Sequence, residues 1–445
     1  MLELDSLSIL REALARLDAG YGTLPALEHD LDHDKLRAAL LEAAERMQDN
    51  FPYPHPLYAG QMLKPPHPVA RLAYALALWV NPNNHALDGG RASSAMEKEA
   101  VAQIAAMFGW ETHLGHLTSG GTMANLEALW AAGRLHPGKT LVASAQAHYT
   151  HGRISEVLGI PFQSVPVDSR ARMDIDALET LLKTGEIGTV VVTLGTTAVG
   201  AVDPLPAVLA LREKYAFRIH IDAAYGGYFT LASSLADDAR AAFDRISEAD
   251  SIAIDPHKHG LQPYGCGCIL FKDPSVGRLY KHDSPYTYFT TAELHLGEIS
   301  LECSRAGASA VALWTTQRLF PLERGGEFAA GLDRCLAAAR ALYGRLCAEP
   351  RFVPFFEPEL DIVVWGVNAE TASEASRRAR ALFEAAAAEN LHLAVANLPA
   401  HLLRPWWPGM TWDQDHVACL RSVLMKPEHL DWIEPIWAAL LRAAK

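Results

Sequence analysis

Ser251-Ile-Ala-Ile-Asp-Pro-His-Lys-His-Gly260 passes abruptly from an apolar, β-branched run into a polar cluster. The first half predicts a buried strand and the Asp-Pro pair ends it, so Lys258 is delivered at a strand's exit. Arg218-Ile-His-Ile-Asp-Ala-Ala-Tyr-Gly226 is built the same way and delivers Asp222. Residues 140–144, 162–167, 190–194 and 266–271 are also β-rich, and amphipathic stretches lie between several of these runs. One such stretch follows Asp174 and has acidic residues in its first turn. The alternation predicts an α/β domain around a mostly parallel central sheet. Ligands in such sheets sit beyond the carboxyl ends of strands, where Thr193, Asp222 and Lys258 all fall.

Those strand-end residues carry chemistry. A partly desolvated lysine beside an imidazole suits an amine nucleophile that condenses with a carbonyl. A carboxylate such as Asp222 can keep a pyridine nitrogen protonated, which turns the ring into an electron sink. The same Asp could equally cap the next helix. Thr118-Ser-Gly-Gly-Thr-Met-Ala-Asn125 introduces a helix-like run. Its small residues let backbone N–H groups close around a phosphate at a helix N-terminus. Phosphate cradle, ring-nitrogen carboxylate and lysine, in that order, point to pyridoxal 5'-phosphate (PLP).

Composition narrows the alternatives. A 445-residue chain can bury a large core and predicts more than one domain. The formal charge of −13, without any Lys/Arg block, argues against a nucleic-acid partner. The best apolar run, 68–80, contains Arg71 and is too short for a bilayer. The first residues alternate Leu with charged residues at helical spacing, unlike a signal peptide, so a cytoplasmic protein without membrane contact is expected. Six cysteines do not make a disulfide framework in a chain this long. Cys266 and Cys268 share a strand face and read as core thiols. His113 and His116 have a spacing that could suit a metal on a helix, but no carboxylate or cysteine cluster accompanies them. We read them as structural and expect no metal.

Residues 1–60 read as a helical arm, with Leu36, Leu40, Leu41, Ala44 and Met47 at helical spacing. Residues 61–325 form the expected large α/β domain. A helix over 95–108 stops at Gly109. Residues 326–445 form a smaller α+β domain, with strands over 361–364, 391–396 and 419–425 and helices over 374–388 and 432–443.

With these residues laid out, the chain resembles the group II PLP-dependent amino-acid decarboxylases from about residue 50 to the end. The resemblance is carried by His55-Pro-Leu-Tyr-Ala-Gly60, Thr118-Ser-Gly-Gly-Thr122, Ala147-His-Tyr149, Thr193-Leu-Gly-Thr-Thr197, His220-Ile-Asp-Ala-Ala-Tyr225 and Asp255-Pro-His-Lys258. It implies the PLP-dependent transferase fold (fold type I), with Lys258 as the Schiff-base lysine and His257 beside the cofactor. Asp222 would pair with the pyridine nitrogen, His148 would stack on one ring face and Ala224 would pack on the other. Gly120, Gly121 and Thr122 match the phosphate turn, and Thr196 a threonine near the cofactor. Tyr288 matches a mobile-loop tyrosine that reaches into a partner subunit's site, with Tyr286 the runner-up. Arg305 matches an arginine near the substrate. A homodimer follows from the resemblance.

The implied reaction is decarboxylation of an L-amino acid to its amine. An aromatic substrate is marginally favoured, because Trp406, Trp407 and Trp412, with Tyr286, Tyr288 and Phe289, could line a pocket. Acidic amino acids and diaminobutyrate are alternatives, as is a PLP carbon–carbon lyase resembling sphingosine-phosphate lyase. Met123 stands where the family commonly has an acidic residue. His259-Gly-Leu-Gln-Pro-Tyr-Gly265 looks closer to archaeal decarboxylases than to the animal aromatic enzymes.

Overall fold

A computed structural model describes residues 2–25, 27–28, 30–281 and 295–445. Its larger sheet has seven strands: β1 (Leu114–Thr118), β2 (Thr140–Ser144), β3 (Phe162–Val165), β4 (Ile187–Thr193), β5 (Arg218–Asp222), β6 (Ser251–Ile254) and β7 (Gly267–Phe271). Their spatial order is β1-β7-β6-β5-β4-β2-β3. β3, β2, β4, β5 and β6 run parallel, and β7 is antiparallel to both β6 and β1. The mostly parallel sheet read from the alternation is therefore present. Every residue of β4 is buried, as expected for an interior strand covered on both faces.

β1 lies at the sheet's edge and was not foreseen. His116 therefore belongs to a strand, not a helix; its Nε2 lies 2.9 Å from Glu127 Oε2, and both groups are buried. The pair satisfies two polar side chains inside the core, in keeping with the structural reading of this histidine. Cys266 and Cys268 are buried, and burial pushes both thiols up.

The helices before and within this layer include α1 (Leu7–Ala19), α2 (His33–Met47), α3 (Pro68–Leu78), α4 (Leu87–Met107), α5 (Gly121–Leu135) and α6 (Thr150–Leu158). α4 is followed by Gly109 at φ +81°, which supplies the left-handed turn at its end. Neither α1 nor α2 has a buried residue, and Leu36, Leu40, Leu41 and Met47 are exposed.

The smaller sheet is antiparallel throughout, in the order β10-β11-β9-β8. Its strands are β8 (Phe352–Phe355), β9 (Ile362–Val367), β10 (Ala394–Pro399) and β11 (His416–Val423). β8 is an addition to the expected set. Trp365 on β9 packs at the centre of a core shared with Leu342, Leu382, Leu420 and Leu440. Among the described residues, no helix is long and apolar enough to cross a membrane.

Buried polar contacts join the two sheets beneath the large sheet's strand ends. Asp361, just before β9, accepts from Tyr225 Oη at 2.5 Å and lies 3.2 Å from His259 Nε2. Arg421 on β11 donates from Nη2 to the Thr197 carbonyl at 2.8 Å.

Candidate active site

The carboxyl ends of β4, β5 and β6 open onto a cleft of about 290 Å³. Its lining includes Gly120, Gly121, Thr122, His148, Asp222, Ala224, His257 and Lys258, all singled out from the sequence. β5 sets its own register: His220 and Asp222, two apart, point to one face. His220 is buried between Ser251 Oγ at 2.9 Å and Asn125 Oδ1 at 2.7 Å. Burial pushes its pKa down to about 3, so it is a neutral structural ring.

Asp222 is 5% exposed. Its Oδ1 accepts the Ala224 N–H at 3.1 Å, and its Oδ2 accepts from His151 Nε2 at 2.9 Å. Burial alone would push the carboxyl up. The His151 hydrogen bond and charge, the Lys258 charge and the Ala224 N–H outweigh burial and hold it well below the usual carboxylate range. The floor of the cleft is therefore a fixed anion.

Lys258 Nζ lies 3.1 Å from Asp255 Oδ2. His257 is anchored through Nδ1 to the Cys266 carbonyl at 2.8 Å, which sets its ring orientation. His148 is held by Thr150 Oγ1 at 2.8 Å from its Nδ1. Burial lowers the pKa of both rings, so each presents a neutral face at pH 7.

Across the cleft, α5 begins at Gly121, and its first-turn N–H groups have no acceptor within the helix. A Cβ at Gly121 would stand 2.7 Å from Asp255 Oδ2, so only glycine fits between the turn and that carboxylate. Asn125 steadies the turn by donating from Nδ2 to the Gly121 carbonyl at 2.9 Å. A glycine-rich turn at a helix N-terminus, a buried anion and an amine fit PLP's phosphate, ring nitrogen and aldehyde respectively.

Two expected residues stand elsewhere. Thr196 is fully buried and its Oγ1 accepts the Ala201 N–H at 3.0 Å, while Thr197, its neighbour, lines the cleft. Arg305 is absent from the cleft wall. Its Nη1 donates to Glu97 Oε1 at 2.8 Å and to the Leu117 carbonyl, a buried tie beneath β1. Tyr286, Tyr288 and Phe289 lie outside the described residues.

The tryptophans do not line the cleft. Trp407 is core, 5.5 Å from the Phe355 ring; Trp406 packs on Phe356, and Trp412 lies under Arg404. Sequence reading missed His151 and gave no role to Asp255 or Asn125. No local spacing in the sequence ties His151 to Asp222, 71 positions away.

The model of the pyridoxal-dependent decarboxylase conserved domain matches residues 69–368. An L-tyrosine decarboxylase of Enterococcus faecium is 30% identical over 370 residues, covering 60% of each chain. A probable L-aspartate decarboxylase of Halobacterium salinarum is 32% identical over 311 residues, covering 68% of this chain and 81% of that one. The chain thus spans about three-fifths of the tyrosine decarboxylase's length. The crystal structure of Catharanthus roseus tryptophan decarboxylase in complex with L-tryptophan superposes with a TM-score of 0.74 at 17% identity, covering 100% of this chain and 98% of that one. That likeness shows the fold.

Proposed function

The chain belongs to the pyridoxal-dependent decarboxylase family, and we propose that it removes the α-carboxylate of an L-amino acid as CO₂, leaving the amine. The observation that carries this is the convergence of the Lys258 amine, the Asp222 carboxylate and the 120–122 turn on one cleft. Bound PLP supplies the electron sink for the bond that breaks.

The chain's own residues do the rest. Lys258 Nζ would hold the cofactor's aldehyde carbon, and Asp222, kept anionic by His151, would hold a proton on the ring nitrogen. His148 and Ala224 would confine the ring's two faces, and the neutral imidazole would add no charge beside it. Tyr288 delivers a proton to the substrate Cα, with Tyr286 as the alternative.

An aromatic amino acid is the first choice of substrate, supported by the tyrosine decarboxylases among the relatives. Aspartate is the second reading, supported by the Halobacterium relative. We further propose a cytoplasmic homodimer organised as arm 1–60, large domain 61–325 and small domain 326–445. The dimer is supported by the apolar residues that α2 leaves uncovered. The test is CO₂ release from each of the twenty amino acids and diaminobutyrate, with amine, aldehyde and peroxide measured together. One or a few amino acids should yield CO₂ and amine in equal amounts, and Lys258→Ala should abolish both. Turnover by Lys258→Ala, or no CO₂ from any of them, overturns the proposal.

A further inference from the structure

Formal charges around the cleft do not favour an incoming phosphate. Among the described lining residues they are Asp222, Asp255 and Lys258; Asp222 is already partnered by His151 at 2.9 Å, which leaves Asp255 to the lysine. Burial keeps His148 and His257 neutral at pH 7, so neither adds positive charge. A phosphate monoester brings a charge of about −1.5 to −2. The N-terminus of α5 and its free N–H groups favour that charge.

Asp255 opposes it from directly below the turn, its Oδ2 lying 2.7 Å from where a Gly121 Cβ would stand. Asp255 is 3% exposed, and its buried Oδ1 has no hydrogen-bond partner. Its Oδ2 faces Lys258 Nζ at 3.1 Å and the neutral His257 Nε2 at 3.5 Å. Water can do little to screen so buried a carboxylate, and the lysine is the cation that compensates it.

We propose that Lys258 has a second function besides offering its amine. It is the counter-ion of Asp255, and it lets an anionic phosphate seat on the 120–122 turn. Asp255 in return positions the Lys258 side chain at the cleft floor before the cofactor arrives. Deleting the lysine then does two separable things: it removes the nucleophile, and it leaves a bare carboxylate under the phosphate seat. Deleting both charges removes the second effect. The inference rests on the reading that the turn takes the phosphate of PLP.

The experiment uses the full-length chain freed of PLP, in four forms: wild type, Lys258→Ala, Asp255→Asn and the double variant. Each is titrated at low salt near pH 7.5 with pyridoxine 5'-phosphate, which keeps ring and phosphate but has no aldehyde to condense with an amine. Lys258→Ala should bind about tenfold more weakly than wild type, the lower end of what an opposite charge at this distance does. Asp255→Asn should bind about threefold more tightly or better, and the double variant should return to within about threefold of wild type. Lys258→Met keeps the aliphatic stem and serves the same comparison if the alanine variant unfolds. A double variant as weak as Lys258→Ala, or an Asp255→Asn variant no tighter than wild type, overturns the counter-ion role alone. Absence of binding by all four overturns the phosphate-turn reading together with it.

Discussion

Replacing His151 by Phe tests how the cleft floor is held. The imidazole is buried, and its Nε2 lies 2.9 Å from Asp222 Oδ2. Phe fills nearly the same volume, so the cavity term is small and the change is mainly one lost donor to a buried carboxylate. A hydrogen bond to a charged group contributes about 1.5–3 kcal/mol, so a loss of about 2 kcal/mol is expected at pH 7.5. In the native protein the folded carboxyl lies below its unfolded value. Its contribution is therefore full above the unfolded pKa, about 3.9, and is lost only as pH falls through the folded value. In the variant, burial is opposed only by Lys258 and the Ala224 N–H, so the Asp222 carboxyl rises relative to the native protein. The penalty then belongs to the ionised form and is relieved as the carboxyl protonates on acidification. Urea unfolding of both proteins at pH 7.5 should show that difference, and one under about 0.5 kcal/mol refutes the reasoning.

Asp361→Ala strips the shared acceptor from Tyr225 and His259 at the junction of the two sheets. It should cost about 3–5 kcal/mol in urea unfolding, with Asp361→Asn recovering part by still accepting from Tyr225; equal losses for both would assign the effect to side-chain volume instead. Trp407→Ala should cost about 3–5 kcal/mol as a core truncation while leaving KM for the amino acid within about twofold. A KM rise beyond tenfold without that loss would return Trp407 to the substrate pocket.

What the sequence could and could not disclose follows from the range of each interaction. Lys258 and Asp222 were legible because each ends a buried strand, and parallel topology brings such ends together wherever the strands lie in the sheet. The tie between Lys258 and Asp255 spans three residues and Asn125 reaches the Gly121 carbonyl four back, so both are local enough to be read from spacing. His151 meets Asp222 across 71 positions, and nothing in either neighbourhood encodes the contact. The edge strand β1 was hidden for a related reason: its five residues pair only with β7, more than a hundred positions later. Thr196 shows a different limit. Alternate residues from Thr193 through Gly195 to Thr197 line the cleft, so Thr196, which the resemblance singled out, falls on the opposite side and is buried. Trp407 shows that residue type alone does not place a side chain: its ring fills the space a Cβ on Gly366 would need, 2.6 Å away, and that glycine on β9 opens the core to it. An aromatic residue is drawn wherever apolar area can be buried, and here that lies between β8 and β9 rather than at the strand ends where the chemistry is.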